Sequence, residues 1–511
     1  MSDAAIRPSG ITAVPLATLL GGLDLRGDAD APVLITGISL DSRDIVPGSL
    51  YVALPGRHVH GADYAAAAVA AGAVAVATDA AGERAARATG VATVVSDDLR
   101  RQMALLSSRV FGNPGSKLEL LGVTGTNGKT TTVALLEAGL AAAGRRVGTV
   151  GTLGFRLDGL AVPSGRSTVT TPDSPDLNAL LAVMHERGAD AVALEVSSHA
   201  MKLDRVVGLR FSVAAFLNLG EDHMDFHHDV EDYFEAKASL FTPDYTDRAV
   251  LWTDDERGAE IAGRAAAAGL EVITVGTREQ AQYRLSGYEP VAPLGGRATL
   301  TRDGSSVELR IGMPGTYNMI DAAVAFAMLE TIGTDPDDIL AGLAVAQVPG
   351  RMQALELGDD APTVVVDFAH TPQAVAAALD ALVGSFDRLV TVVGCGGDRD
   401  AAKRPAMGRA AAERSDVVII TDDNPRTEDP ATIRAATLAG ALEVGGDTFV
   451  EEVPGRRAAI QRALELADPA TVVAVLGKGH EQGQHVGGQV LPFDDAVEAL
   501  SAWDRIREGR S

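Results

Sequence analysis

Gly125, Gly128, Lys129 and Thr130 are the first residues in this chain whose types and spacing could do chemistry; they lie in the stretch GVTGTNGKTTT, Gly122 to Thr132. Two glycines let a backbone close on a polyphosphate, a lysine adds a point charge, and the neighbouring hydroxyl suits Mg²⁺. A helix opening at Thr130 would aim its partly positive N-terminus at the same phosphates. With Thr126, Asn127 and Thr131 completing the loop, the stretch predicts ATP binding. Its spelling is unusual: five residues, Val123 to Asn127, separate Gly122 from Gly128, where the common pattern has four.

Three further groups could join it. Glu195 ends the apolar run DAVALEV, at the sheet edge where a second metal ligand is expected. NLGEDHMDFHHD, residues 218–229, holds histidines and acids that could bind metal, line a pocket or form a solvated loop, and it lacks the HExxH spacing of a zinc hydrolase. In EDYFEAKASLF, Phe234, Lys237, Leu240 and Phe241 share one helical face, which aims an amine into apolar surroundings. Such a lysine either snorkels to water or loses its charge, and a free amine can add CO₂ to become a metal-binding carbamate. GCGGDRD does not make a dinucleotide fingerprint, because Arg399 occupies the third glycine position.

These groups need a scaffold, and the elements around them supply one. Apolar strand-like runs alternate with Ala-rich helical stretches throughout, which predicts an α/β fold with parallel sheets. Turn residues in FGNPGSK and the restart at VAQVPGRMQAL divide the chain into three domains: a smaller N-terminal α/β domain (1–115), a central P-loop-type parallel-sheet domain (116–347) and a Rossmann-like, doubly wound C-terminal domain (348–511). Residues 281–311 alternate as antiparallel strands do, an excursion within the central domain. With 511 residues, 46 % of them hydrophobic, there is ample material for several cores. A net charge of −25 argues against nucleic-acid and membrane partners. The single cysteine, Cys395, excludes an intrachain disulfide and a cysteine-based zinc site. The N-terminus has no export pattern and no apolar run is long enough to span a bilayer. A monomeric cytoplasmic protein is expected.

TGTNGKTTT, EVSSH, NLGEDHMDFH, YFEAKASLF, GTYNMIDAAVA, PGRMQ, DFAHTP, GCGGDRDAAKRP and DDNPR together resemble the Mur ligase family, the ATP-dependent amino-acid ligases of peptidoglycan precursor synthesis. The long loop is that family's own version. The resemblance implies two Mg²⁺ sites, one held by Thr130 and Glu195 and the other by His223 and carbamylated Lys237, with Glu195 shared, and it makes Lys129, Lys237, Glu195 and His223 the catalytic group. It implies nucleotide contacts from Asn318, Arg351, Asp367 and His370. LDSRDIVPGSLYVALPGRHVHGADY is similar to the uridine-diphosphate-binding domain of the branch that adds the third amino acid, with Ser42 and Arg43 as uridine-site candidates. His60 stands where that branch often has Asp, and Leu203 where relatives often have Gln. Thr170, Thr171, Ser197 and Arg205 match contacts to the muramoyl dipeptide.

Members of that branch add either meso-diaminopimelate or L-lysine. Diaminopimelate carries a second carboxylate, which an arginine fork can grip. Arg426 in DDNPR matches the diaminopimelate signature; Arg399, Asp423, Asn424, Pro425, Gly477 and Glu481 match the remaining contacts to that substrate. The expected reaction is ATP-driven amide formation on UDP-N-acetylmuramoyl-L-alanyl-D-glutamate. The alternatives are an L-lysine-adding ligase of the same type and a folylpolyglutamate synthase-like ligase.

Overall fold

The structure, a computed structural model, describes residues 7–56, 58–163, 169–220, 226–358 and 360–510. The chain forms two compact units. One runs to Leu285 and takes in Thr301–Ser305 and Ala323–Gly342; the other comprises Ser286–Leu300, Ser306–Ala322 and Leu343–Ser511. Each is α/β with largely parallel sheets, as the alternation of apolar runs and Ala-rich helices predicts.

Beside a short antiparallel pair, Val14–Pro15 with Leu34–Ile35, the first unit holds two larger sheets among its described residues. In the smaller, the strands run in the order Arg26–Gly27, Ala92–Val95, Ala73–Thr78, Ser49–Ala53, Gly37–Ser39, and the last four are parallel. In the larger, the parallel strands Val147–Gly151, Ala191–Glu195, Glu119–Thr124, Val213–Phe216, Arg248–Trp252 and Glu271–Gly276 lie side by side. They read as near-continuous apolar runs because the sheet is buried on both faces. The winding reverses at Glu119–Thr124. The next strands go to one side of it and the later ones to the other, so a crevice for ligands is expected at the carboxyl ends there. In register, Glu195 lies opposite Val123 and Phe216 opposite Thr124. The segments leaving these three strands therefore start from one edge of the sheet.

The strands Tyr283–Pro290, Gly296–Arg302 and Ser305–Ile311 carry the alternation read in residues 281–311, and the boundary between units runs through them. Asp303 and Gly304, both with positive φ (47° and 76°), make the two-residue turn between the last two, the geometry an Asp-Gly hairpin requires.

The second unit is built on a six-stranded sheet, ordered Gln353–Leu355, Thr363–Asp367, Thr471–Leu476, Arg388–Cys395, Val417–Asp422, Phe449–Glu452. Five strands are parallel and Gln353–Leu355 is an antiparallel edge. Separate apolar cores cover the two faces, one around Val365, Val393, Met407 and Ile420, the other around Val366, Val392, Ile460 and Trp503. This is the doubly wound arrangement expected. Between Arg456–Glu465 and Asp495–Arg510 lies a fully buried ion pair: the Arg456 fork meets both carboxylate oxygens of Asp495 at 2.7 Å.

Candidate functional site

The loop Gly125–Gly128 leaves the strand Glu119–Thr124 and enters the helix Lys129–Ala142, one residue earlier than the sequence suggests. Gly128 takes φ 89° at the helix cap, a conformation for which glycine is suited. Lys129 donates from Nζ to the carbonyls of Gly125 and Thr126, both at 2.9 Å. Lys237, 1 % exposed, donates to the same Gly125 carbonyl at 2.7 Å and lies 4.4 Å from the ring centroid of Tyr233. Two lysines thus converge on one oxygen beneath the loop. The helix that carries Lys237, Val230–Ala238, is capped by Asp229 and ends before Leu240 and Phe241. Those two residues are buried as the pattern requires, but they lie beyond the helix end.

Glu195 is 1 % exposed and accepts from the Thr152 N–H (2.8 Å, Oε1) and the Thr152 hydroxyl (3.0 Å, Oε2). A methyl group on Gly151 would stand 2.2 Å from Glu195 Oε1, so only glycine lets the carboxylate lie there. Thr130 and Glu195 line one narrow cleft with Thr149, Gly151 and Glu137. Burial pushes the Glu137 carboxyl up from its ordinary range. A hydroxyl and a carboxylate beside a helix N-terminus fit a hard divalent cation that travels with a polyphosphate. Among the described residues no group of three His, Cys, Asp or Glu side chains forms a metal cage. His223 lies outside the described residues. Of its neighbours in that stretch, His227 is a buried core histidine bonded to Ser198 (2.9 Å) and Asp232 (3.3 Å).

The expected dipeptide contacts gather beside Glu195. The Thr171 hydroxyl lies 2.7 Å from the Glu195 carbonyl and 3.1 Å from Ser197 Oγ, and Arg205 donates to the Thr171 carbonyl (2.7 Å) and to Asp173 (3.0 Å). Thr170 Oγ1 is 3.4 Å from Thr152 Oγ1. In the smaller sheet, Ser42 and Arg43 come after the carboxyl end of Gly37–Ser39; Arg43 is exposed and its guanidinium pairs with Asp41 at 2.6 Å. His60 caps the short helix Gly61–Tyr64 by accepting the Ala62 N–H through Nδ1 (3.0 Å), while Nε2 meets Asp79. The imidazole thus does the N-capping for which an aspartate is suited.

In the second unit the strand ends collect two further groups. Asn318 is buried and bonds the Pro314 carbonyl. Arg351 lies over the Phe368 ring at 4.7 Å, and the His370 and His480 rings pack against the same phenyl at 4.6 and 5.0 Å. Asp367 holds this junction by accepting the N–H groups of Met352 (2.7 Å) and Ala369 (2.8 Å), and burial raises its pKa. Burial and the Arg351 charge lower the His480 pKa to about 4.

Asn424, Glu481 and Lys478 form the other group. Lys478 is fully buried, and its Nζ donates to Asn424 Oδ1 (3.0 Å) and Glu481 Oε2 (2.9 Å). The His485 N–H also donates to Asn424 Oδ1, which turns the Asn424 amide nitrogen toward Glu481 at 2.8 Å. Asp423 is buried with its pKa raised by burial, and Gly477, at φ 116°, packs beside it. Arg426, after Pro425, takes φ 54° and donates to the Gly397 carbonyl at 2.7 Å. From Gly396 a Cβ would be 3.0 Å from Arg426 Nη1 and 4.0 Å from Arg399 Cγ, so both arginines border that glycine. The Arg399 side chain is exposed. Thr152, Phe368, Lys478 and His480 escape the sequence reading. Lys478 and His480 carry a local signal, a cation and an imidazole just after an apolar strand. Thr152 has none, since only the fold brings it to Glu195.

A scaffold with a phosphate loop at one sheet's switch point and a separate doubly wound sheet defines a nucleotide-binding α/β architecture. Three domain descriptions match the chain: Mur ligase family, catalytic domain (residues 34–110), Mur ligase middle domain (123–329) and Mur ligase, glutamate ligase domain (350–479). A protein of Streptomyces avermitilis, UDP-N-acetylmuramoyl-L-alanyl-D-glutamate--2,6-diaminopimelate ligase, is 44 % identical over 96 % of each chain, and the protein of that name from Corynebacterium glutamicum is 43 % identical over 92 % of each. A solved structure of a ligase of that name covers 97 % of this chain and 100 % of its own, with 31 % identity and a TM-score of 0.72. Mycobacterium tuberculosis folylpolyglutamate synthase shares the fold over 79 % of this chain and 94 % of its own, at 20 % identity and a TM-score of 0.59. This chain belongs to the Mur ligase family.

Proposed function

We propose that the chain is the ADP-forming ligase that adds meso-diaminopimelate to UDP-N-acetylmuramoyl-L-alanyl-D-glutamate in peptidoglycan precursor synthesis, in the cytoplasm and as a monomer. The observation that carries the amino-acid choice is the pairing of Arg426 and Arg399 around Gly396 with Asn424, Lys478 and Glu481 close in sequence to the same strand ends. Two guanidinium groups suit two carboxylates, and Glu481 suits an ammonium. Lysine lacks the second carboxylate and would leave one arginine without a partner.

The three-domain division (1–115, 116–347, 348–511) is the frame in which the substrate contacts are assigned. Ser42 and Arg43 serve the uridine end; Thr170, Thr171, Ser197 and Arg205 serve the dipeptide. The loop Gly125–Thr131 serves the phosphates of ATP, and Asn318, Arg351, Asp367 and His370 are the further nucleotide contacts that the family resemblance implies. Mg²⁺ bound by Thr130 and Glu195, and by His223 and Lys237, would neutralise phosphate charge. In the first step the D-glutamate carboxylate attacks the γ-phosphate, giving an acyl phosphate and ADP. In the second, the neutral amine of diaminopimelate attacks the acyl carbon and phosphate leaves. Two anions meet in the first step, so Lys129 and the N-terminus of Lys129–Ala142 have charge neutralisation as their task. Lys237 as a carbamate fits the crowding at Gly125: two ammonium groups on one carbonyl repel, and turning one into an anion makes that an attraction.

Phosphate release with ATP tests the reading. Release should require both the UDP-linked dipeptide and diaminopimelate, with a tripeptide product of matching mass. Release indifferent to either substrate, or equal product from lysine in competition, contradicts it.

A further inference from the structure

Among the described residues, Glu195 receives both of its side-chain hydrogen bonds from one residue. Thr152, in the turn between Val147–Gly151 and Gly154–Leu157, donates its N–H to Oε1 and its hydroxyl to Oε2. The last torsion of a glutamate is broad and roughly two-fold, so a carboxylate at a strand end has no fixed plane of its own. Two donors from one rigid turn fix that plane. With Gly151 directly beneath, the carboxylate stays in the wall of the cleft it shares with Thr130.

The same hydroxyl reaches the peptide side. Having given its only proton to Glu195, Thr152 Oγ1 can only accept from Thr170, 3.4 Å away. Thr171, the next residue, meets the main-chain carbonyl of Glu195 at 2.7 Å and accepts the Ser197 N–H at 3.1 Å. Glu195 is thus held through its side chain by way of Thr152 and through its main chain by Thr171.

We propose that Thr152 is a positioning residue that sets the Glu195 carboxylate for the nucleotide-bound cation and couples that setting, through Thr170, to occupancy of the peptide-substrate segment. The inference rests on the reading of Glu195 as a cation ligand. Coupling of this kind is reciprocal, so dipeptide binding strengthens Mg²⁺-dependent nucleotide binding and the reverse.

The test is calorimetric binding of a non-hydrolysable ATP analogue to the full chain, with and without Mg²⁺ and with and without the UDP-linked dipeptide. Thr152→Val keeps the shape and the N–H donor but removes the hydroxyl; Thr152→Ser restores it. Thr152→Val should weaken the Mg²⁺-dependent affinity roughly 10-fold, the range for partners of metal ligands, leave Mg²⁺-free nucleotide affinity unchanged and abolish the gain from dipeptide. Thr152→Ser should behave as the native chain does. Native Mg²⁺ dependence in Thr152→Val, or an equal loss in Thr152→Ser, overturns the proposal. Glu195→Gln separates the two layers: if it too keeps native Mg²⁺ dependence, the ligand reading fails with the proposal, whereas a loss there beside a normal Thr152→Val removes only the role of Thr152.

Discussion

Arg426 shows how one residue carries recognition at a structural cost. It takes φ 54°, a region that non-glycine residues seldom occupy, and strained backbone of this kind persists where surrounding bonds hold it. Here its N–H donates to the His485 carbonyl and its carbonyl accepts from Gly487, so main-chain bonds set the conformation and the side chain is presented. Charge-assisted bonds are worth about 1.5–3 kcal/mol. Arg426→Ala should therefore lower kcat/KM for diaminopimelate by roughly 10- to 150-fold with the KM for ATP unchanged; a native kcat/KM would remove Arg426 from the site. Lys237 makes the second residue-scale case. Lys237→Ala should reduce turnover by on the order of 100-fold or more, as loss of a preorganised charge does, and excess bicarbonate should not restore it. Full activity in a folded variant would end the carbamate reading.

Among the elements, the junction of the turn at Gly350 with the turn at Gly479 is the one that pH should reach. A Cβ on Gly350 would stand 2.1 Å from the His480 N, and this close approach sets His480 beside Phe368 and near Arg351. The His480 pKa falls from 6.5 to about 4. The unfolded chain therefore binds a proton at His480 between those values and the folded chain does not, so stability falls as pH drops from about 6.5 to about 4. The contribution is up to about 3 kcal/mol across that window. His480→Gln should flatten that part of the curve of unfolding free energy against pH; an unchanged slope would show that the imidazole does not titrate with folding.

For the whole molecule, the parallel α/β architecture and the doubly wound sheet were legible because buried strands must be continuously apolar and their helices Ala-rich. The phosphate loop was legible because its chemistry is local: glycines, lysine and threonine act within six residues. Helix ends were less so. Leu240 and Phe241 satisfy the helical pattern of Lys237 but are buried from beyond the helix, since burial fixes only a side chain's environment. Thr152 and Lys478 illustrate what sequence withholds. Each works on a partner brought by strand order or by a turn, and a threonine or lysine by itself has many other uses. Among the described residues no helix is long and apolar enough to cross a membrane.

The ion pair of Arg456 with Asp495 has a consequence for how the chain is made. Both side chains are wholly enclosed, and the partners are 39 residues apart. During synthesis Arg456 is added 39 residues before its counter-charge, and enclosing it alone is strongly unfavourable. The core around Ile460 and Trp503, on one face of the C-terminal sheet, can therefore seal only after Asp495 has emerged.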